Sequence, residues 1–443
     1  MTLYDVIVIG AGASGLVAAR ELTKHGKKVC ILEARDRVGG RIHTARINGF
    51  TKPIELGAEF IHGELPLTMS LVKEAGSNFR PDTGKTYEVQ NGELIKNQDL
   101  LEGMDELMLR LNALKHDMPL AEFLKEYFNE KRYDSLTRSV VRFAEGFDVA
   151  DTTKASSIAL RDEWGSDDVE NSFRTENGYG VMTDFLADVC KAAGCDIVLN
   201  TVVKEINWKQ NEATAITSDN TKYTSPQVVV TIPLGLLKAE EHNIAFIKFT
   251  PDIKDKREAA KKLGYGGVIK YQLLFKAPFW ENKHVGVRQM KELAFLLNDS
   301  HVRAWWTELP DKTPMLTGWI GGPQADKLKY KSQQELLDIA LDTLAYAFDT
   351  TEPALSLPNV AFLQDQIVAT QITNWCTDPF SLGAYSYQTV DSKFAQDVLL
   401  KPVDNTLFFA GEALAGGKSI GTVEAALESG LLAAFTILKL EEV

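Results

Sequence analysis

Long hydrophobic runs are missing from this chain. None of its 443 residues belongs to an apolar stretch of the ~20 residues that a membrane-spanning helix needs, so no membrane partner is expected. Basic residues are in deficit, with 48 Lys and Arg against 61 Asp and Glu and a formal net charge of −13. A surface that neutralises phosphates needs the opposite bias, so no nucleic-acid partner is expected either. Cysteine is scarce: Cys30, Cys190, Cys195 and Cys376 are scattered. The Cys190 and Cys195 pair straddles a predicted helix end and could suit a metal or a disulfide. No second pair or histidine cluster accompanies it, and the expected metal content is none. Repeats, low-complexity tracts and Pro/Ser-rich linkers are also absent. The length suits two or three domains, which must then be interleaved rather than strung in series. The chain enters its first strand by Asp5, which leaves no room for a signal peptide, and no C-terminal apolar anchor is visible. The expected location is cytoplasmic, as a monomer or homodimer.

What is present begins at Tyr4. Asp5 to Ile9 reads as a short buried strand, and Gly10-Ala11-Gly12-Ala13-Ser14-Gly15 follows at once. A helical pattern runs from Ser14 to about His25, with Gly26 placed as its C-terminal stop. Lys28 to Leu32 reads as a second strand, ending on Glu33, 18 residues after Gly15. Strand, glycine turn, helix, strand and acid together form a dinucleotide-binding fingerprint. Gly10 permits the tight turn, Gly12 lets a pyrophosphate approach the helix N-terminus, and Gly15 lets helix and strand pack closely. Glu33 would accept hydrogen bonds from a ribose diol. Ala34 and Arg35 continue the segment, and Gly39-Gly40-Arg41 adds an arginine able to reach the same pyrophosphate.

Further along, Thr51 to His62 reads as a strand leading into a Gly57-Ala58 turn, followed by Glu59, Phe60 and His62. From Glu64 to about Gly180 the chain reads as mainly helical, including helices at 65–76, 100–115, 120–128 and 135–144. Gly178-Tyr179-Gly180 then opens a helix over 181–193. A β-meander follows through Val203, with a hairpin at Ser218-Asp219-Asn220, and ends in the apolar strand Val228-Val229-Val230. Lys270 lies inside an apolar strand pattern, where a lysine is unusual; it is either a surface residue on an edge strand or a functional group. The run from Trp375 to Tyr387, WCTDPFSLGAYSY, concentrates aromatic rings, and Tyr385 alone could equally be a core tyrosine. Phe409-Ala410-Gly411-Glu412 ends an apolar strand, and Thr422-Val423 opens a helix running to about Leu440.

These motifs resemble the flavin-containing amine oxidase superfamily from Tyr4 to about Leu440, and polyamine oxidases most closely. The resemblance implies an α/β fold in which a glutathione-reductase-like Rossmann FAD-binding domain (1–75, 176–245 and 400–443) is interleaved with an α+β substrate-binding domain (76–175 and 246–399). It implies that Gly57, Ala58, Glu59 and Phe60 pass the flavin edge and that Val203 meets adenine through its backbone. Glu412 lies near the ribityl or pyrophosphate, and the Thr422–Val423 amides face the pyrimidine end. Lys270 holds a water beside flavin N5, a place that suits a desolvated lysine of shifted protonation. Tyr385 is one wall of an aromatic cage, and Trp375 packs near the flavin. His62 matches a histidine beside the flavin in animal-type polyamine oxidases, or is an ordinary polar turn residue. Two departures carry information. Ala384 stands where covalent monoamine oxidases carry a flavin-linking cysteine, so FAD is expected to be noncovalent. Thr422 stands where a second cage aromatic occurs, so a wider pocket is expected. The C-terminal anchor of mitochondrial monoamine oxidases and the long helical insertion of histone demethylases are both missing. The expected activity is oxidation of an amine, a polyamine above all, with dioxygen reduced to hydrogen peroxide. An L-amino-acid oxidase or desaturase on the same fold is the alternative, and an FAD-retaining binding or regulatory protein is the second.

Overall fold

The computed structural model describes residues 4–90, 93–96, 103–165, 172–282, 284–285, 288–348, 359–415 and 419–439. Leu100 and Leu440, at the expected ends of two helices, lie outside them. Among the described residues a five-stranded sheet runs in the order Asp196–Val198, Val29–Leu32, Val6–Ile9, Gln227–Val230, Leu407–Phe409. Every neighbouring pair in it is parallel. A parallel sheet is covered on both faces, which is why its strands read as unbroken apolar runs. Alternation decides which residue meets which layer. Val6, Val8, Val29 and Ile31 pack towards helices Ala13–Lys24, Gly180–Ala192 and Val423–Lys439. Ile7, Ile9, Cys30 and Leu32 pack towards Ile206, Ala213 and Ala215 of the meander on the other face. Numbered along the chain, the strand order is 3-2-1-4-5, so the sequence of strands reverses at Val6–Ile9. Ligands of open α/β sheets bind beyond the strand C-termini at such a switch point. Here that point lies between Gly10 and Thr231, whose Oγ1 donates to the Ile9 carbonyl at 2.8 Å.

A seven-stranded sheet stands apart from the first among the described residues. It places Val268–Phe275 between Ile367–Asn374 and Met315–Gly321, with Ala304–Trp306, Leu293–Asn298, Lys85–Gln90 and Glu93–Lys96 continuing outward. Helix Gln333–Phe348 buries Leu336, Leu341 and Leu344 in the core on this sheet. Helices Met104–Asn112, Leu120–Tyr127, Asp134–Gly146 and Ser157–Trp164 form a separate apolar cluster. No helix of the described residues is long and apolar enough to cross a membrane.

The reading of 64–180 as mainly helical is corrected by four strands there: Phe79–Pro81, Lys85–Gln90, Glu93–Lys96 and Ser172–Thr175. They are short and largely polar; Glu93–Lys96 pairs with its neighbour Lys85–Gln90, while the other partners are distant in sequence. Ser172–Thr175 pairs with both Phe60–His62 and Phe79–Pro81, and Lys85–Gln90 pairs in parallel with Leu293–Asn298. The edge-strand alternative for Lys270 is also removed, because Val268–Phe275 is paired on both sides and the lysine is 1% exposed. All four cysteines are buried and free.

Candidate active site

One cavity of about 1350 Å³ extends from the first glycine loop to Tyr385. It exceeds the roughly 300–1,000 Å³ of ordinary small-molecule pockets, as a dinucleotide with a substrate space beyond it would require. At the nucleotide end Gly10, Gly12, Ala13 and Ser14 form the wall where helix Ala13–Lys24 begins. Gly15 does not line the cavity. A Cβ there would fall 2.1 Å from the Gly10 carbonyl oxygen, so its role is the close packing read from sequence. The Ser14 hydroxyl is buried and has no hydrogen-bond partner among the described residues, in reach of a helix N-terminus that favours anions. Glu33 is buried, and burial pushes its carboxyl above the ordinary range against the pull of its backbone bonds. Its oxygens accept from the Ala11 N–H at 2.7 Å and the Arg35 N–H at 2.8 Å. A carboxylate has about four acceptor positions, so capacity for a ribose remains. Ala34 and Val203 complete this end. An orphaned hydroxyl, an open glycine cradle and a buried acid fit a dinucleotide.

Both arginines, Arg35 and Arg41, line the cavity and also bind protein groups. Arg41 lines the cavity beside Gly40, but its Nη1 donates to the Ala384 carbonyl and to Glu412 Oε1 at 2.8 Å. Glu412 also accepts from the Ser386 amide and hydroxyl. The arginine read as a pyrophosphate donor therefore ties the Glu412 turn, next to Gly411, to the Tyr385 strand. Arg35 makes a two-point ion pair with Asp378 at 2.6 and 3.0 Å and lies over the rings of Trp375 and Phe380. Trp375 is buried and donates from Nε1 to the Leu56 carbonyl at 2.8 Å. It closes on the Gly57-Ala58 turn, where a Cβ at Gly57 would sit 1.8 Å from the Arg41 carbonyl oxygen.

At the far end the structure assembles groups that stand apart in sequence. Lys270 Nζ is 2.7 Å from Glu59 Oε2 and 3.0 Å from the Gly57 carbonyl oxygen. Tyr385 donates from its hydroxyl to the Phe147 carbonyl, and its ring lies 6.3 Å from Trp319. His62 lies in strand Phe60–His62, not in a turn. Its Nδ1 is 2.8 Å from Ser172 Oγ, its ring stacks on Phe60 at 5.6 Å, and burial lowers its pKa to about 4, so it is neutral at physiological pH. Thr422 caps helix Val423–Lys439, its Oγ1 accepting from the Ala425 N–H at 3.2 Å.

Sequence reasoning missed several groups of this cavity. Phe147, Trp306 and Trp319 add aromatic walls, so Tyr385 does not stand alone. Asp148 and Glu163 face the same space as a hydrogen-bonded pair of carboxyls. Burial pushes both above the ordinary carboxylate range, and Asp148 is pushed further by the Glu163 charge. Asp148 Oδ2 accepts from Trp164 Nε1 at 3.1 Å. Both acids raise the pKa of the Tyr385 hydroxyl, after burial itself, which places them beside that ring. The only one-dimensional signal was the acidity of the helical segment.

Comparison with known proteins agrees with this geometry. A family described as flavin containing amine oxidoreductase matches residues 13–438. Polyamine oxidase 4 of Oryza sativa subsp. japonica is 29% identical over 97% of this chain and 88% of its own length. Lysine-specific histone demethylase 2 of Homo sapiens is 27% identical over 92% of this chain but only 50% of its own. Among solved structures, putrescine oxidase bound to putrescine aligns with a TM-score of 0.75 at 20% identity, covering 99% of both chains. Cyclohexylamine oxidase from Brevibacterium oxydans IH-35A aligns at 0.77 and 21%, covering 99% of this chain and 100% of that one. The structural matches share the α/β fold read from the sequence.

Proposed function

Since this chain belongs to the flavin-containing amine oxidoreductases and takes FAD as its cofactor, we propose that it oxidises a di- or polyamine with dioxygen as acceptor. Bound FAD would supply acceptance of a hydride from the amine α-carbon and its return, with a proton, to dioxygen as hydrogen peroxide, while water hydrolyses the imine to an aldehyde and either ammonia, from a primary amine, or a shorter amine, from a secondary one. The observation that carries the polyamine reading is the Asp148–Glu163 pair beside Tyr385. A buried carboxyl and a half-buried one in an aromatic-walled space suit a second ammonium on the same substrate, held by charge and by ring faces. Tyr385, Trp319 and Phe147 exclude water from the aliphatic chain, and Lys270 presents a donor to the cavity. Ala384 offers no sulfur for a flavin linkage, so we assign the cofactor as noncovalent. The domain division follows the sheets: every strand of the five-stranded sheet comes from the segments assigned to FAD, and every strand of the seven-stranded one from the rest. Lys248–Thr250 crosses that division by pairing with Val203–Lys209.

One observation favours a carboxylate-bearing substrate. Arg142 lines the cavity, and its guanidinium meets only Ser139 Oγ, at 3.2 Å, among the hydrogen bonds and ion pairs of the described residues. An amine panel with peroxide detection decides between the two readings. Spermine, spermidine or an acylated polyamine should outperform benzylamine and every L-amino acid. Faster turnover of an L-amino acid assigns the cavity to the Arg142 reading instead.

A further inference from the structure

A buried chain of alternating charge runs through Glu59. Lys270 Nζ meets its Oε2 at 2.7 Å, with side-chain exposures of only 1% and 8%. On the other oxygen, Trp306 Nε1 donates at 2.9 Å and Arg174 Nε lies 3.4 Å away. Arg174 continues the chain to Asp82 at 3.5 Å and Glu308 at 3.8 Å. The fold holds this order rigidly. Arg174 lies opposite Phe60 in the strand pair Phe60–His62 and Ser172–Thr175, with its guanidinium 4.6 Å from the Phe60 ring centre.

Stability alone does not account for such a pair, because well-packed apolar residues serve a buried position as well or better. The geometry shows a different use. The Gly57 carbonyl and Glu59 take two of the three Lys270 N–H donors. Lys270 lines the cavity, so the third donor is left for what the cavity holds. We propose that Glu59 is a positioning residue for Lys270, aiming its remaining N–H into the cavity, while Arg174 holds Glu59 from behind. The proposal rests on the reading of this cavity as a flavin site that dioxygen reoxidises. The carboxyl's own balance agrees. Burial would raise its pKa, but the Lys270 and Arg174 charges and the bonds from Lys270 and Trp306 outweigh burial and hold it below the ordinary range. Glu55, Asp82 and Glu308 are the further acids that feel the Glu59 charge.

The test needs no amine, so it stands apart from the substrate assignment. Holoenzyme reduced with dithionite is mixed with dioxygen, and the return of flavin absorbance is followed. Glu59→Gln should slow reoxidation at least tenfold while FAD content and visible spectrum stay those of wild type. Glu59→Asp, which keeps the charge, should recover most of the loss. In Lys270→Met, adding Glu59→Gln should change the rate less than twofold, since the group being positioned is already gone. Wild-type reoxidation in Glu59→Gln overturns the proposal, as does a double variant whose two effects multiply. Should Glu59→Gln fail to retain FAD, carboxyl carbon-13 NMR of the wild-type holoenzyme decides, with Glu59 assigned by its loss in Glu59→Asp. The resonance should remain that of an ionised carboxylate from pH 9 to pH 5, and protonation above pH 6 overturns the proposal.

Discussion

Asp148→Asn is the sharpest test of what the far end of the cavity recognises. The change is nearly isosteric, and the asparagine oxygen can keep the bond that Asp148 Oδ2 accepts from Trp164 Nε1. What it removes is one acid of the pair beside Tyr385. A hydrogen bond to a charged group contributes about 1.5–3 kcal/mol, which at about 1.4 kcal/mol per decade is roughly a 10- to 150-fold change. Asp148 is only 6% exposed, so salt screens it little and the upper half of that range applies. The assay compares kcat/KM for a diamine and for the n-alkyl monoamine of equal length. The diamine should lose roughly 40- to 150-fold and the monoamine less than threefold. Stability gives an independent check with a defined sign. The folded pKa of this carboxyl lies above its unfolded value, so the native state is penalised at pH above the folded pKa and not below the unfolded one. Asp148→Asn should therefore raise the melting temperature most near pH 8, and the gain should fade as pH drops towards the ordinary carboxylate value of about 4. Equal losses for diamine and monoamine, or a stability gain that ignores pH, would refute the assignment of this pair to a second ammonium.

Three other outcomes follow from the same geometry. Acid precipitation should release all the yellow flavin to the supernatant, since Ala384 offers only its backbone, bonded to Arg41; colour retained on the washed polypeptide contradicts this. Lys270→Met leaves Glu59 with Trp306 and Arg174 but without its closest cation; chemical denaturation should show a loss of about 3 kcal/mol, the low end for a broken buried pair, and Lys270→Met/Glu59→Gln should restore most of it. Thr422→Tyr should shift kcat/KM from polyamines towards small amines by narrowing the cavity, and should cost about 1 kcal/mol because the Thr422 hydroxyl that caps helix Val423–Lys439 is lost.

Motifs whose chemistry depends on neighbours in sequence were readable in one dimension. The turn from Gly10 to Gly15 needs its glycines at fixed offsets, because a side chain at Gly15 would enter the Gly10 carbonyl. The parallel strands announced themselves because both their faces are buried. Strands Lys85–Gln90 and Glu93–Lys96 carried a signal that helical periodicity obscured: Asn91-Gly92 stands between them in sequence, a strong mark of a hairpin, and Tyr87 and Val89 alternate with polar residues. The charge network was different in kind. Glu59 and Lys270 are 211 positions apart, and no period or spacing connects them. Next to Gly57-Ala58, Glu59 reads as one more residue at a flavin edge. It becomes the counter-ion of Lys270 only because two separate sheets bring strand Phe60–His62 and strand Val268–Phe275 to the same wall. Lys270 was conspicuous for the complementary reason: an ammonium within an apolar strand demands a partner that the strand itself does not contain. A buried charge in a sequence is thus a statement about a missing second charge, and the most economical search for that partner is among acids next to glycine turns, where backbone can approach closely enough to share the load, as the Gly57 carbonyl does here.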